Sequence, residues 1–411
     1  AHGLVDISLV VCNLYPFEKV LRADKEEAAL IENIDIGGPT LLRASAKNYR
    51  DVCVVVDPED YDTAVEKMDD INFRKQMAYK AFSYTAAYDA LISNTFSKML
   101  DDSFPEVLTQ TFVKKQDLRY GENPHQKAAY YERVDTYDNK DFTQLHGKEL
   151  SYNNINDLTG ALKTLASYSR PTAVAVKHAN ACGIASADSI NEAYVKCFES
   201  DPISIFGGIV ALNEAVDADL ASELSKIFLE IVLAPSFTDE ALEILQKKKN
   251  LRLIEIKDIH ETRATMIKDV LNGILVQEVD ALDYEKLEVV TNRKPTDKEM
   301  ADLMFGWRSV RTIDSNAIVI AGDEVTLALG HGEVRRVWSL EKAIQRSLTD
   351  VKGSIIASDG FFFEDTVELC AKHGISAIIQ PGGSLNDPDV IEACNKHDIA
   401  LVFTGTRHFK H

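Results

Sequence analysis

Lys177 and His178 stand side by side in Ala173-Val-Ala-Val-Lys-His-Ala-Asn-Ala-Cys-Gly183, an ammonium next to an imidazole. The β-branched run before them reads as a buried strand, and the Gly-containing segment after them reads as a loop. Two proton-handling side chains would then emerge where a strand stops. In open α/β sheets ligands bind beyond the carboxyl ends of strands. Taken alone, the pair reads better as a solvated lysine and a packed histidine.

Other stretches carry similar potential. Leu118-Arg-Tyr-Gly-Glu-Asn-Pro-His-Gln126 gathers a cation, a phenol, an imidazole and two amides in a loop broken by Gly121 and Pro124, the composition of a binding loop or of a solvated turn. Leu150-Ser-Tyr-Asn-Asn-Ile-Asn-Asp157 sets amides and hydroxyls before a helix, where some would cap it. In Asp201-Pro-Ile-Ser-Ile-Phe-Gly-Gly208 the glycines would let backbone approach a ligand closely. Gln380-Pro-Gly-Gly-Ser384 lies between a strand and a helix, where backbone N–H groups can cradle an anion.

The elements that must position these residues alternate. Strand-like Ile7–Cys12 and Val52–Val56 flank helical segments, and Phe73–Leu100 reads as one helix packed through Ala78, Ala81, Phe82, Thr85, Tyr88 and Ile92. Polar Asp101–Gln110, with Pro105, marks a domain boundary. Strands Ala173–Val176, Ile209–Leu212, Ile231–Ala234 and Leu251–Ile256 then alternate with helices. After a less regular stretch, His260–Lys294, alternation resumes to the end, predicting an α/β layered sheet in two successive units. No sequence repeat strong enough to establish duplication is visible.

A chain of 411 residues calls for two or three domains. Its net charge of −20 argues against nucleic acid or an anionic membrane as partner, while leaving room for small anions held by local cations. No apolar run approaches a membrane span. The start, Ala1-His-Gly-Leu-Val, has no signal-peptide pattern, and the six scattered cysteines form neither a disulfide framework nor a zinc-ligand set. A cytoplasmic location is expected.

Asn13-Leu-Tyr-Pro-Phe17, Ile34-Asp-Ile-Gly-Gly38, the Arg119–Gln126 loop, Lys177-His178, Ser204-Ile-Phe-Gly-Gly208, Ser315-Asn316, Gln380-Pro-Gly-Gly-Ser384 and Arg407-His-Phe-Lys-His411 follow one another in an order that resembles a single family. It is the bifunctional purine-biosynthesis family joining AICAR formyltransferase to IMP cyclohydrolase, and the resemblance covers essentially the whole chain. It implies a partial methylglyoxal-synthase-like N-terminal domain over residues 1–105. Two tandem cytidine-deaminase-like α/β subdomains would follow, over 106–295 and 296–411, without the deaminase zinc. The implied cosubstrate is 10-formyltetrahydrofolate, the substrates are AICAR and FAICAR, and the implied assembly is a homodimer, with no metal.

The resemblance also assigns roles. The AICAR amine is a poor nucleophile, so proton removal must accompany attack, with His178 as shuttle and Lys177 supporting the oxyanion. Asn316 would hold the reacting groups. Arg119, Arg336 and Arg407 would bind the nucleotide, where a guanidinium fork suits phosphate or carboxamide oxygens. Tyr120, Asn156, Phe206 and Gly208 would shape that pocket, and Phe361, Asp365 and Pro381 would contact folate. Tyr15, Asp35 and Lys47 would serve cyclisation.

Departures from the family pattern stand beside these matches. Ala181 replaces a usual Pro; Gly330-His-Gly-Glu333 replaces Gly-Ala-Gly-Gln, with Arg335 for Ser; Phe361-Phe-Phe-Glu364 replaces Phe-Phe-Pro-Phe. Glu333 near a folate carboxylate or nucleotide phosphate would repel it. The chain also begins just before Asn13, which leaves out the family's phosphate-binding loop and a further lysine, so weak cyclohydrolase activity is expected. The alternative to an enzyme is a non-catalytic nucleotide-binding relative with a decayed folate site.

Overall fold

Two short apolar runs, β1 (Leu9–Val11) and β2 (Cys53–Val55), pair in parallel, and the helices around them bury a core from Phe17, Leu42, Val54, Ala81 and Leu91. The computed structural model describes residues 6–23, 26–134, 142–259 and 265–411; residues 1–5, read above for a leader, and His260–Ala264 of the irregular stretch lie outside them. The chain divides into a unit of residues 1–117, 130–139 and 267–276 and a unit of the remainder. In the first unit the long helix is Ile71–Met99. Ala78, Ala81, Thr85 and Tyr88 are buried in it, but Phe82 lies outside the core with the Arg43 guanidinium 5.6 Å over its ring.

Two ribbons follow, β3 (Phe112–Leu118) with β4 (Ala128–Arg133), and β11 (Thr265–Val270) with β12 (Gly273–Glu278). The second unit is built on one sheet of twelve strands. Its first half holds β5 (Phe142–His146), β6 (Thr172–Lys177), β7 (Asn180–Ser186), β8 (Ile209–Leu212), β9 (Ile231–Ala234) and β10 (Arg252–Ile256). Its second half holds β13 (Glu288–Val289), β14 (Ile318–Gly322), β15 (Val325–Gly330), β16 (Ile355–Ser358), β17 (Ala377–Gln380) and β18 (Ala400–Phe403). The spatial order is β13-β18-β17-β16-β14-β15-β7-β6-β8-β9-β10-β5.

Alternate residues face opposite sides of a strand, and here both sides are covered. Val174 and Val176 join a core that runs under both halves, closed by helices Tyr152–Leu165 and Asp297–Val310. Ala173 and Ala175 face a separate core, and the second half has its own on the same side.

The halves repeat each other. Each has an antiparallel hairpin, then three parallel strands, then an antiparallel edge strand. The hairpins are bulged at matching places, between Ala175 and Val176 and between Ile320 and Ala321. The helix before each hairpin opens with a capping box, Ser151 with Asn154 and Thr296 with Glu299. One interval, 145 residues, separates 151 from 296, 154 from 299 and 175 from 320. The halves meet antiparallel at Ala185 and Val325.

The segment after Lys177 differs from the loop expected there. It is a two-residue turn, His178-Ala179, leading directly into β7. Its Asn-Ala-Cys-Gly composition looks like loop, but small side chains suit a strand enclosed on both faces between β6 and β15. Because β6 is antiparallel to both its neighbours, the carboxyl-end rule for parallel sheets does not apply at this turn.

Candidate functional site

Strand register sets one end of the sheet. Lys177 pairs with Asn180 and Val176 with Ile209, so the β6–β7 turn adjoins the start of β8. Ile318 pairs with both Gly330 and Ser358, which brings Asn316 beside the ends of β15 and β16. The parallel strands β17 and β18 end there too, ahead of Pro381 and Arg407. The residues singled out for transfer therefore share one end of the sheet in two clusters. Strands β6 and β14 are three spacings apart, roughly 14 Å.

In the first cluster His178 and Ala179 have φ of 54° and 59°, the paired left-handed residues of a type I′ hairpin turn. Neither is glycine, so the turn needs support. Asp157, on the helix Tyr152–Leu165, supplies it: its Oδ1 accepts the Ala179 N–H at 2.6 Å. Burial raises the Asp157 carboxyl above its ordinary value, and the Ala179 N–H and the nearby His178 partly offset this. Gly160 on the same helix lies so close to the turn that a Cβ would come 2.7 Å from the Ala179 carbonyl. The Lys177 ammonium donates to the Phe206 carbonyl at 2.9 Å, while the His178 ring is exposed. Gly208 spends its freedom on packing rather than on a ligand, since a Cβ there would meet the Val176 carbonyl at 2.8 Å. Asn156 is exposed beside Asp157, and the Phe206 ring packs on Phe228.

The loop from Arg119 to Gln126 is closed on itself. Gly121 N–H donates to the Gln126 carbonyl at 2.8 Å, and Gln126 Oε1 accepts the Asn123 N–H at 2.8 Å. Arg119 is thereby left exposed, its guanidinium 5.6 Å over the Tyr120 ring. Asn153 ties the loop to the helix that carries Asp157 through the Glu122 carbonyl, at 3.4 Å.

The second cluster surrounds a cavity of about 340 Å³ lined by Asn316, Arg335, Arg336, Phe361, Phe363, Asp365 and Phe409, among others. Arg407 lies over the Phe361 ring at 5.2 Å and over Phe409 at 5.8 Å. Arg336 is not a free cation. Its guanidinium pairs with the fully buried Asp359 and donates to Ser358 Oγ at 2.9 Å and to Asn316 Oδ1 at 2.7 Å. Asn316 Nδ2 donates in turn to the Glu333 carbonyl at 2.7 Å, so the amide is held at both ends.

Two sequence expectations change here. Glu333 does not offer a bare charge, because its carboxylate pairs with Lys342. The anion cradle expected at Gln380–Ser384 is filled from within: Asp387 Oδ2 accepts the Gly383 and Ser384 N–H groups at 2.7 and 3.1 Å. Pro381 is buried at its base. Asp157 and Asp359 were not singled out from sequence. Asp157 sits in the quoted Leu150–Asp157 run, but a buried ion pair such as Asp359–Arg336 leaves no local pattern.

In the first unit Asp35 caps a helix that opens at its two glycines. Its Oδ1 accepts the Gly38 N–H at 2.7 Å and its Oδ2 the Tyr15 N–H at 3.3 Å, and Tyr15 is exposed beside it. Lys47 closes the same helix, Gly37–Lys47, about 15 Å further along the axis, and is exposed. Tyr15 and Asp35 are brought together; Lys47 is not.

A family model for the AICARFT/IMPCHase bienzyme matches residues 45–346. The bifunctional purine biosynthesis protein PurH of Thermoanaerobacter sp. (strain X514) is 52% identical over 420 residues, covering 100% of this chain and 82% of that protein. PurH of Caldicellulosiruptor bescii is 51% identical over 425 residues, and PurH of Anoxybacillus flavithermus 49% over 423, each covering 100% of this chain and 83% of the relative.

Proposed function

The chain belongs to the AICARFT/IMPCHase bienzyme family, and from that membership we infer that it moves a formyl group from 10-formyltetrahydrofolate to the 5-amino group of AICAR in purine biosynthesis. The products are FAICAR and tetrahydrofolate, and the family's second reaction closes FAICAR to IMP with loss of water. In the transfer the amine nitrogen bonds to the formyl carbon, the bond from that carbon to folate N10 breaks, and the proton lost by the amine ends on N10. His178 takes that proton, since its imidazole is exposed on a turn that Asp157 fixes. Lys177, with one N–H engaged by the Phe206 carbonyl, has two left to stabilise the oxyanion. Asn316, clamped between Arg336 and the Glu333 carbonyl, orients the reacting groups, which makes Arg336 a residue that acts through Asn316. Arg119 and Arg407 bind the nucleotide, Tyr120, Asn156, Phe206 and Gly208 shape its pocket, and Phe361, Asp365 and Pro381 receive the folate.

Neither bond change calls for a metal. The repeated halves support two cytidine-deaminase-like subdomains after a methylglyoxal-synthase-like part over 1–105, although a division into 106–295 and 296–411 leaves β13, which pairs with β18 of the second half, on the first side. Tyr15 and Asp35 serve cyclisation; Lys47 joins them only if substrate or a partner subunit bridges the length of the helix. A cytoplasmic homodimer is the expected form, to be checked by light scattering.

The observation that carries this reading is the Lys177–His178 pair on its braced turn. Purified protein given AICAR and 10-formyltetrahydrofolate is expected to release tetrahydrofolate, and His178→Ala is expected to abolish that release. Equal rates in the two proteins would remove His178 from the reaction.

A further inference from the structure

The segment from Arg407 to Lys410 alternates in burial. Phe409 lines the cavity and Arg407 stacks on two of its aromatic rings, but His408 between them turns inward and its side chain is fully buried. Its Nδ1 lies 2.7 Å from Asp280 Oδ2 and its Nε2 3.3 Å from the Asp283 carbonyl, while its ring packs on Trp307 with centroids 4.6 Å apart. Each ring nitrogen thus faces an oxygen of the Asp280–Asp283 segment. The His408 N–H donates to the carbonyl of Asp359, whose carboxylate holds Arg336. Further along, Ser315 and Lys410 are bonded twice, Ser315 N–H to the Lys410 carbonyl at 2.9 Å and Lys410 N–H to Ser315 Oγ at 3.1 Å. The Lys410 ammonium adds bonds to the Thr312 carbonyl at 2.8 Å and to Asp314 at 2.9 Å. Ser315 Oγ also donates to the Asp359 carboxylate, and the next residue is Asn316.

We propose that His408, gripped by Asp280, is a positioning residue for formyl transfer. It is the pin that turns Arg407 and Phe409 toward the cavity and keeps the 407–410 segment laced to Ser315, so that Asn316 and Arg407 are presented together. A buried imidazole with two acceptors, in place of an aliphatic side chain, fixes direction as well as depth, because hydrogen bonds are directional where apolar packing is not. This rests on the reading of Arg407 as a residue that binds the AICAR nucleotide.

The test is a double-mutant cycle on the full chain, read as KM for AICAR in the transfer assay and as AICAR affinity by calorimetry. His408→Ala is expected to weaken both on the order of tenfold, and the same change made on top of Arg407→Ala is expected to cost less than about twofold more, as for two residues acting as one. His408→Gln, which keeps one donor toward Asp280, should fall between. Undiminished AICAR affinity in His408→Ala, or a loss of the same size with and without Arg407, would overturn the proposal in favour of a purely structural histidine. Should His408→Ala fail to fold, Asp280→Ala, which removes the acceptor facing Nδ1, gives the same reading, and wild-type AICAR affinity in that variant would count against the pin. A wild-type chain that binds AICAR without transferring formyl would refute the transferase reading instead, and the affinity cycle would still decide about His408.

Discussion

His178 and Ala179 occupy a backbone region that costs a residue with a Cβ roughly 1–2 kcal/mol, and they are held there by one carboxylate. Two expectations follow at this scale. Ala179→Gly should raise stability by about 1 kcal/mol in urea titrations while preserving transfer, because glycine adopts the turn without strain. Asp157→Ala should lower the rate constant of transfer about tenfold with the protein still folded, and Asp157→Asn, which keeps an acceptor oxygen, should lose far less. Equal rates in wild type and Asp157→Ala would show that the turn holds itself. Residue chemistry was legible in the sequence where it was local: Lys177 and His178 are adjacent, and the Arg119–Gln126 loop is contiguous. Asp359 and His408 were not legible, because their partners lie 23 residues away at Arg336 and 128 away at Asp280.

Among the elements, the helix Asp297–Val310 shows how much a cap can hold. Burial alone would raise the Glu299 carboxyl, but the Thr296 N–H and the Arg293 guanidinium lower it to about 2. A carboxyl with a folded pKa below its unfolded one stabilises at neutral pH, and the contribution fades as pH falls from about 4.5 through about 2. Glu299→Gln should therefore cost on the order of 3 kcal/mol at pH 7, with the difference shrinking toward zero near pH 2, as read from urea unfolding at several pH values. A cap was read only in the Leu150–Asp157 run, where Ser151 and Asn154 form the first box, while the long helices and parallel strands could be read from periodicity. Strand β7 could not. Ile184 is its one β-branched residue, and its extended form is dictated by the strands on either side.

At the scale of the molecule, one core beneath both halves of the large sheet makes them a single cooperative body. Trp307, fully buried in that core on the helix Asp297–Val310, is the place to test it. Trp307→Ala should destabilise by about 3–5 kcal/mol, and amide exchange should rise together in β6 of the first half and β16 of the second. Exchange that rises in β16 alone would show two independent bodies. The alternation of strand and helix announced this layered architecture, whereas the repeat within it was hidden because the halves share spacing rather than side chains.

That spacing reaches the His178-Ala179 turn itself. The hairpin of β14 and β15 turns at Asp323-Glu324, with φ of 55° and 53°, and the Glu324 N–H donates to Asp302 at 2.7 Å, as Ala179 does to Asp157. The same 145 residues separate each pair. Asp323 is tied to Lys298 and Glu324 to Arg170, so the second turn is closed by ion pairs where the first stands open. A duplicated ancestor would have owned two interchangeable turns at opposite ends of its sheet. The Asp323-Glu324 turn is therefore a ready control for which features of the His178-Ala179 turn the backbone alone demands.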